Sequence, residues 1–165
     1  MATTIHPEIP DPETVRAAFE RLAPDARAGW GRMNAPAMLE HCLRFNEIYL
    51  GRRRPAWPIR LLARLLAGPF LERALRTSPR EMKRGIRTLP SLRVDPEAAD
   101  GSAFEDTRAR LLSTFDEIDG IRGLWAHPLY GRIDAEVGKA VARHHAAHHL
   151  HQFGALDEAL PPPRP

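Results

Sequence analysis

The sequence predicts an all-α fold: a four-helix bundle with a short extra N-terminal helix and a long crossover loop. Three observations carry this. Apolar residues recur with a helical period in four long segments, no segment of useful length alternates as a strand does, and one proline-rich connection is long enough to cross the bundle. The chain has 165 residues, with 43% hydrophobic and 27% charged, the balance of a single globular domain. Residues 1–11 and 157–165 read as mobile ends.

The short first helix is expected from about Pro12 to Leu22, with Asp11 as its cap and Pro12 at its first position. A turn follows through Pro24, Gly29 and Gly31. The next helix starts near Asn34 and ends at Gly51, and Met38, His41, Cys42, Phe45, Ile48 and Tyr49 share one face. A third helical region spans about Pro58 to Arg76, broken or kinked at Gly68–Pro69. Thr77 to Gly101 reads as irregular. A helix over about Ala103 to Ile118 buries Phe104, Leu111, Leu112, Phe115 and Ile118. Gly120, Gly123, Pro128 and Gly131 mark a turn segment. The last helix begins at Asp134 and carries Val137, Val141, Ala142, His145, His149, Gln152, Phe153 and Leu156 on one face.

Composition narrows the setting. A single cysteine, Cys42, excludes an internal disulfide framework, and no signal peptide is visible, so a cytoplasmic protein is expected. Charged residues interrupt the greasiest stretch, Trp57 to Leu75, which excludes a membrane span there. The net charge of +3 is unevenly spread: Gly51–Val94 holds 12 Lys and Arg against 2 Asp and Glu, a net of +10. Such a block either receives an anion or forms a solvated face paired with acidic neighbours.

Five of the eight histidines lie between His144 and His151. The pairs His144/His148 and His145/His149 both have the i, i+4 spacing that puts two imidazoles on one helix face. The apolar stripe selects His145 and His149, with Gln152 one turn beyond. His144 and His151 are expected to point away from the core, and His148 lies at the edge. Buried imidazoles need polar partners, and a divalent metal joins them well. His41, embedded in its own apolar stripe, is the third candidate ligand. A His-rich run can also be solvated or bind metal adventitiously. Cys42 reads as a small core residue rather than a nucleophile.

These residues resemble a family. Trp30-Gly-Arg-Met-Asn-Ala-Pro-Ala-Met-Leu-Glu-His41 is similar to the W-G-x-M … M-L-x-H opening of a bacterial branch of the DinB/YfiT-like metalloenzyme superfamily, a domain of unknown function. Arg84-Gly-Ile-Arg-Thr-Leu-Pro90 resembles its R-G-x-x-T-x-P loop, and His127-Pro-Leu-Tyr-Gly131 its H-P-x-F-G turn. His145-Ala-Ala-His-His-Leu-His-Gln-Phe153 resembles its H-x-x-H-H-L-x-Q-F ending. One departure is Val137, where the branch often carries an aromatic residue. The resemblance implies a DinB-like bundle and a three-histidine metal site at His41, His145 and His149.

Relatives in the wider superfamily include thiol-dependent isomerases, S-transferases and metal-dependent hydrolases. The expected function is therefore metal-dependent thiol transfer or hydrolysis on a small-molecule substrate. Zinc or nickel heads the list of ions, iron and manganese remain open, and a low-molecular-weight thiol is a candidate cosubstrate. His148, Gln152, Arg84 and Arg87 are candidates for supporting or substrate-facing roles. The alternatives are a non-catalytic bundle with a structural or vestigial metal, or anion or nucleic-acid binding through the basic segment. Nucleic acid is disfavoured because no binding motif or aromatic interleaving accompanies the charge. A homodimer is left open.

Overall fold

Three side-chain caps start the main helices. Asp11 accepts from the Thr14 N–H at 2.8 Å and opens α1, Pro12–Arg21. Asn34 accepts from the Ala37 N–H at 2.8 Å and opens α2, Ala35–Tyr49. Asp134 accepts from the Glu136 N–H at 2.8 Å and opens α6, Ala135–Gln152. Between them lie α3, Trp57–Leu65, α4, Ala67–Arg76, and α5, Phe104–Gly120. The computed structural model describes residues 4–84, 88–99 and 101–156. The protein is mostly helical, with one small two-stranded sheet.

That small sheet adds to the helical fold the sequence predicts. β1, Leu124–His127, and β2, Gly131–Asp134, pair antiparallel with Trp125 opposite Ile133 and His127 opposite Gly131. The strands are four residues each, too short for alternation to stand out in the sequence. Gly131 opens β2 at φ 78°, a left-handed conformation that favours glycine.

The break in the third helical region also differs from the expectation. It falls at Leu66, and Pro69 lies in the first turn of α4, where its missing N–H has no partner to lose. The stretch 77–101 contains two 3₁₀ turns, Pro79–Glu81 and Pro90–Leu92. Asn34 pins its far end by donating to the carbonyls of Pro96 and Ala99 at 2.8 and 3.1 Å. Part of the N-terminal segment expected to be mobile is tied down. The His6 N–H donates to the Leu75 carbonyl at 2.7 Å, Ile9 is buried, and Ser78 donates to Glu8. Residues 157–165 lie outside the described residues.

The core forms where α2 packs along α5 and where α6 is enclosed by α1, α2, α4 and the hairpin. Enclosure overturns one expectation. His144 and His151, expected to face away from the core, are only 5% and 7% exposed. The reason is the 77–81 segment, which covers the outer side of α6. His144 Nε2 donates to the Thr77 carbonyl at 3.1 Å and His148 Nδ1 to the Pro79 carbonyl at 3.2 Å. Among the described residues, no helix is long and apolar enough to cross a membrane.

The hairpin packs onto α6 at Gly138, where a Cβ would stand 2.5 Å from Trp125 Cζ3 and 2.6 Å from Cε3. Trp125 is buried, so its rigid ring has little room to retreat. Gly138→Ala gains about 1 kcal/mol of helix propensity, but overpacking costs about 1–3 kcal/mol. The expected net result is a lower midpoint in urea unfolding, and a higher midpoint would contradict this packing.

Candidate metal centre

α2 and α6 bring His41, His145 and His149 together. One nitrogen from each can serve as ligand, and these atoms all lie within 4.8 Å of one another. His41 Nε2 and His145 Nε2 are 3.2 Å apart. In a tetrahedral zinc site, nitrogens about 2.0–2.1 Å from the ion lie ~3.3 Å from each other, so this pair fits directly. The wider 4.8 Å span is one that side-chain torsions can close.

Partners on the far side of two rings decide which nitrogen is free. His41 Nδ1 lies 2.9 Å from the Leu92 carbonyl, which can only accept. Nδ1 therefore carries the proton, and Nε2 presents a lone pair. His149 Nδ1 lies 2.9 Å from Gln152 Oε1. The Gln152 amide is oriented by its own Nε2, which donates to the Trp30 carbonyl at 2.6 Å, so Oε1 is the acceptor and His149 Nε2 is also free. Such outward hydrogen bonds fix tautomer and ring angle in metal-binding histidines. His145 is held by stacking, 3.8 Å and 10° from the Phe45 ring.

The loop before α2 is shaped around Gln152. The Gly29 N–H donates to the Gln152 carbonyl at 2.7 Å. Gly31 has φ 84°, and a Cβ there would fall 2.6 Å from Gln152 Nε2. Conformation and space both require glycine.

Burial sets the charge state. Desolvation lowers the pKa of His41, with a smaller push from Arg44 and an opposing pull from the Leu92 carbonyl. Desolvation and then the neighbouring imidazoles hold His145 well below the ordinary value. His149 is brought down to about 3, again chiefly by desolvation. All three are neutral at pH 7, the form that binds metal. His41 and His149 are buried, and His145 is partly exposed.

A family model described as Protein of unknown function (DUF1569) matches residues 6–155. The chain belongs to this family. Neither a curated protein nor a solved structure matches it. The DUF1569 match takes in the three histidines, Gln152 and the Gly29–Gly31 loop.

The other expected site residues have distinct places. His148 is buried and bonded to Pro79, 5.1 Å in ring centroid from His149, and it lies outside the triad. Arg84 is exposed, with its guanidinium 4.0 Å from the centre of the Trp30 ring, beside the residue whose carbonyl holds Gln152. Arg87 lies outside the described residues. Cys42 is buried, its thiol donates to Met38, and burial pushes its pKa up, as expected of a core residue. The sequence reading missed the Leu92 carbonyl and the Trp30 carbonyl, because a backbone acceptor has no residue-type signature. It also missed the stack on His145, although Phe45 stands one turn from His41 on the same stripe.

Burying neutral histidines makes the fold acid-sensitive. His127 and His144 are lowered to about 3 and about 4, chiefly by desolvation. The unfolded chain binds protons more readily than the folded one below about pH 6.5. Stability is fully present above that value and falls as pH drops toward the folded-state values, by up to ~1.4 kcal/mol per pH unit for each histidine. Urea unfolding of metal-free protein should show a steadily falling free energy between pH 6.5 and about 4.5. A flat profile would contradict the burial of these rings.

Proposed function

We propose that this chain is a metal-dependent enzyme of the DinB-like type, acting on a small molecule by thiol transfer or hydrolysis. The observation that carries the reading is the convergence of three neutral imidazoles, two with proton-free Nε2 atoms defined by outward hydrogen bonds. His41 Nε2, its lone pair turned inward, stands 3.2 Å from His145 Nε2, a spacing that two ligands of one ion also have. The donor set suits zinc or nickel, and accepts iron or manganese.

A divalent ion bound there would supply Lewis acidity, lowering the pKa of a water or thiol taken up beside it. The chain's own residues do the rest. Gln152 and the Leu92 carbonyl keep the protons on the far nitrogens, so the near nitrogens stay available. Phe45 excludes water along one face of His145. Arg84, fixed over Trp30 by a cation–π contact, is placed to receive a carboxylate such as low-molecular-weight thiols carry.

Elemental analysis of untagged protein tests the metal. About one equivalent of a divalent transition metal is expected. His41→Ala, His145→Ala and His149→Ala should each lose it, while His148→Gln and His151→Gln should keep it. Equal loss in all five would mean that the His-rich run binds metal as a tract. Cobalt-substituted protein separates the chemistries: added thiol should produce a sulfur-to-metal charge-transfer band if thiol transfer is the reaction. Hydrolysis predicts no band and an activity rising through about pH 7. Bound metal with neither behaviour would sink the enzymatic reading in favour of a structural ion.

A further inference from the structure

A cleft of about 370 Å³ opens between the loop after α2, one flank of α3 and the β1–β2 hairpin. Arg53, Arg54, Arg60, Arg64 and Arg132 line it, and no carboxylate does. Arg53 is paired with Glu47 at 3.1 Å. Among the described residues, Arg54, Arg60, Arg64 and Arg132 have no acidic partner. Several other arginines are paired with carboxylates. Arg16 meets Asp116, Arg44 meets Glu40 at 2.6 Å, and Arg52 meets Glu117 at 2.5 Å. Four unpaired guanidinium groups around one hollow repel one another unless an anion joins them.

One wall residue, His127, is a neutral imidazole. Its Nδ1 accepts from the N–H groups of Leu129 and Tyr130 at 3.1 and 3.3 Å. The ring proton is therefore on Nε2, which is buried without an acceptor. Every charged side chain lining the cleft is an arginine.

A second hollow of about 240 Å³ shares Arg60, Arg64 and Pro128 with the first and adds Trp57 and Leu61. Trp57 is 71% exposed and Leu61 51%, and α3 buries none of its residues. Along a helix, Trp57, Leu61 and Leu65 form one stripe, with Arg60 and Arg64 on its flank. The groove therefore has a cationic end and an apolar end.

We propose that this groove binds a phosphate group carrying an apolar substituent, the phosphate among Arg54, Arg60, Arg64 and Arg132 and the substituent along Trp57 and Leu61. Guanidinium forks match the several oxygens of a phosphate, and a phosphate brings more charge than one carboxylate. A second copy related by a two-fold is a poor occupant, because it would bring the same cationic face against this one. The groove is separate from the metal centre. Phe45 stacks on His145, Tyr49 follows at 4.6 Å, and His127 follows at 4.2 Å, so two aromatic rings stand between the triad and the cleft wall.

Calorimetric titration with octyl phosphate below its micelle concentration tests the site, with inorganic phosphate and 1-octanol as controls. Octyl phosphate should bind about tenfold or more tighter than either control, with affinity falling as salt rises. The exposed pair Arg60→Gln/Arg64→Gln should weaken it about tenfold, and Trp57→Ala should bring it toward the inorganic phosphate value, with metal content and helicity unchanged. Absent binding, binding indifferent to the arginine pair, or equal binding of 1-octanol would overturn the proposal. Vesicles of phosphatidylglycerol identify the source of the phosphate. Vesicle binding lost in the same variants makes it a lipid headgroup, and octyl phosphate binding without vesicle binding makes it a soluble ligand. Vesicle binding without octyl phosphate binding also overturns the groove and leaves α3 as a membrane-docking face.

Discussion

A buried imidazole has two ring nitrogens and no water to serve them, and this chain buries six histidines completely. Much of the structure follows from how those nitrogens are satisfied. His127, His144 and His148 each find a backbone partner on one side. His41 also finds a backbone partner and His149 the Gln152 side chain, and their second nitrogens turn inward to a common point shared with His145. The first group fastens segments together. The second gathers three imidazole nitrogens close enough to serve one cation.

That demand explains the long connection. Thr77, Pro79 and Leu92 all lie in the irregular 77–101 stretch, and their carbonyls receive His144, His148 and His41. A regular helix would have used those carbonyls internally. The two 3₁₀ turns and the prolines at 79 and 90 keep the backbone irregular where acceptors must face α2 and α6. Asn34 holds the end of the same stretch while capping α2, so the helix that carries His41 and the segment that orients it are registered by one side chain.

This division sets how much could be read in advance. The helices were legible because apolar period and caps act locally: Asp11, Asn34 and Asp134 cap where their residue types say they should. His41, His145 and His149 could be singled out because each lies on an apolar stripe, and helical phase converts to direction. The same logic failed for His144 and His151. A stripe implies an exposed opposite side only if nothing covers it, and on α6 the 77–81 segment covers it. The hairpin escaped notice because four-residue strands carry few alternations, and Pro69 misled because a proline that breaks a helix interior suits a first turn. Arg84 was picked out for a motif, and its contact with Trp30 depends on a loop-to-loop approach that no spacing encodes.

The charge asymmetry resolves once partners are known. Some arginines of the basic segment are ordinary: Arg52, Arg53 and Arg76 sit against Glu117, Glu47 and Glu72. Others have no acidic partner among the described residues, and three of these meet at one place. Arg54, Arg60 and Arg64 are joined at one cleft by Arg132, from a strand well outside the segment. A merely solvated face spreads like charges apart, because exposed cations lower their energy by separating. Convergence from three elements onto one hollow runs against that tendency, with Trp57 and Leu61 left in water beside it. Two unfavourable features at one place, concentrated charge and exposed apolar surface, are relieved together by one kind of occupant, an anion with a greasy end.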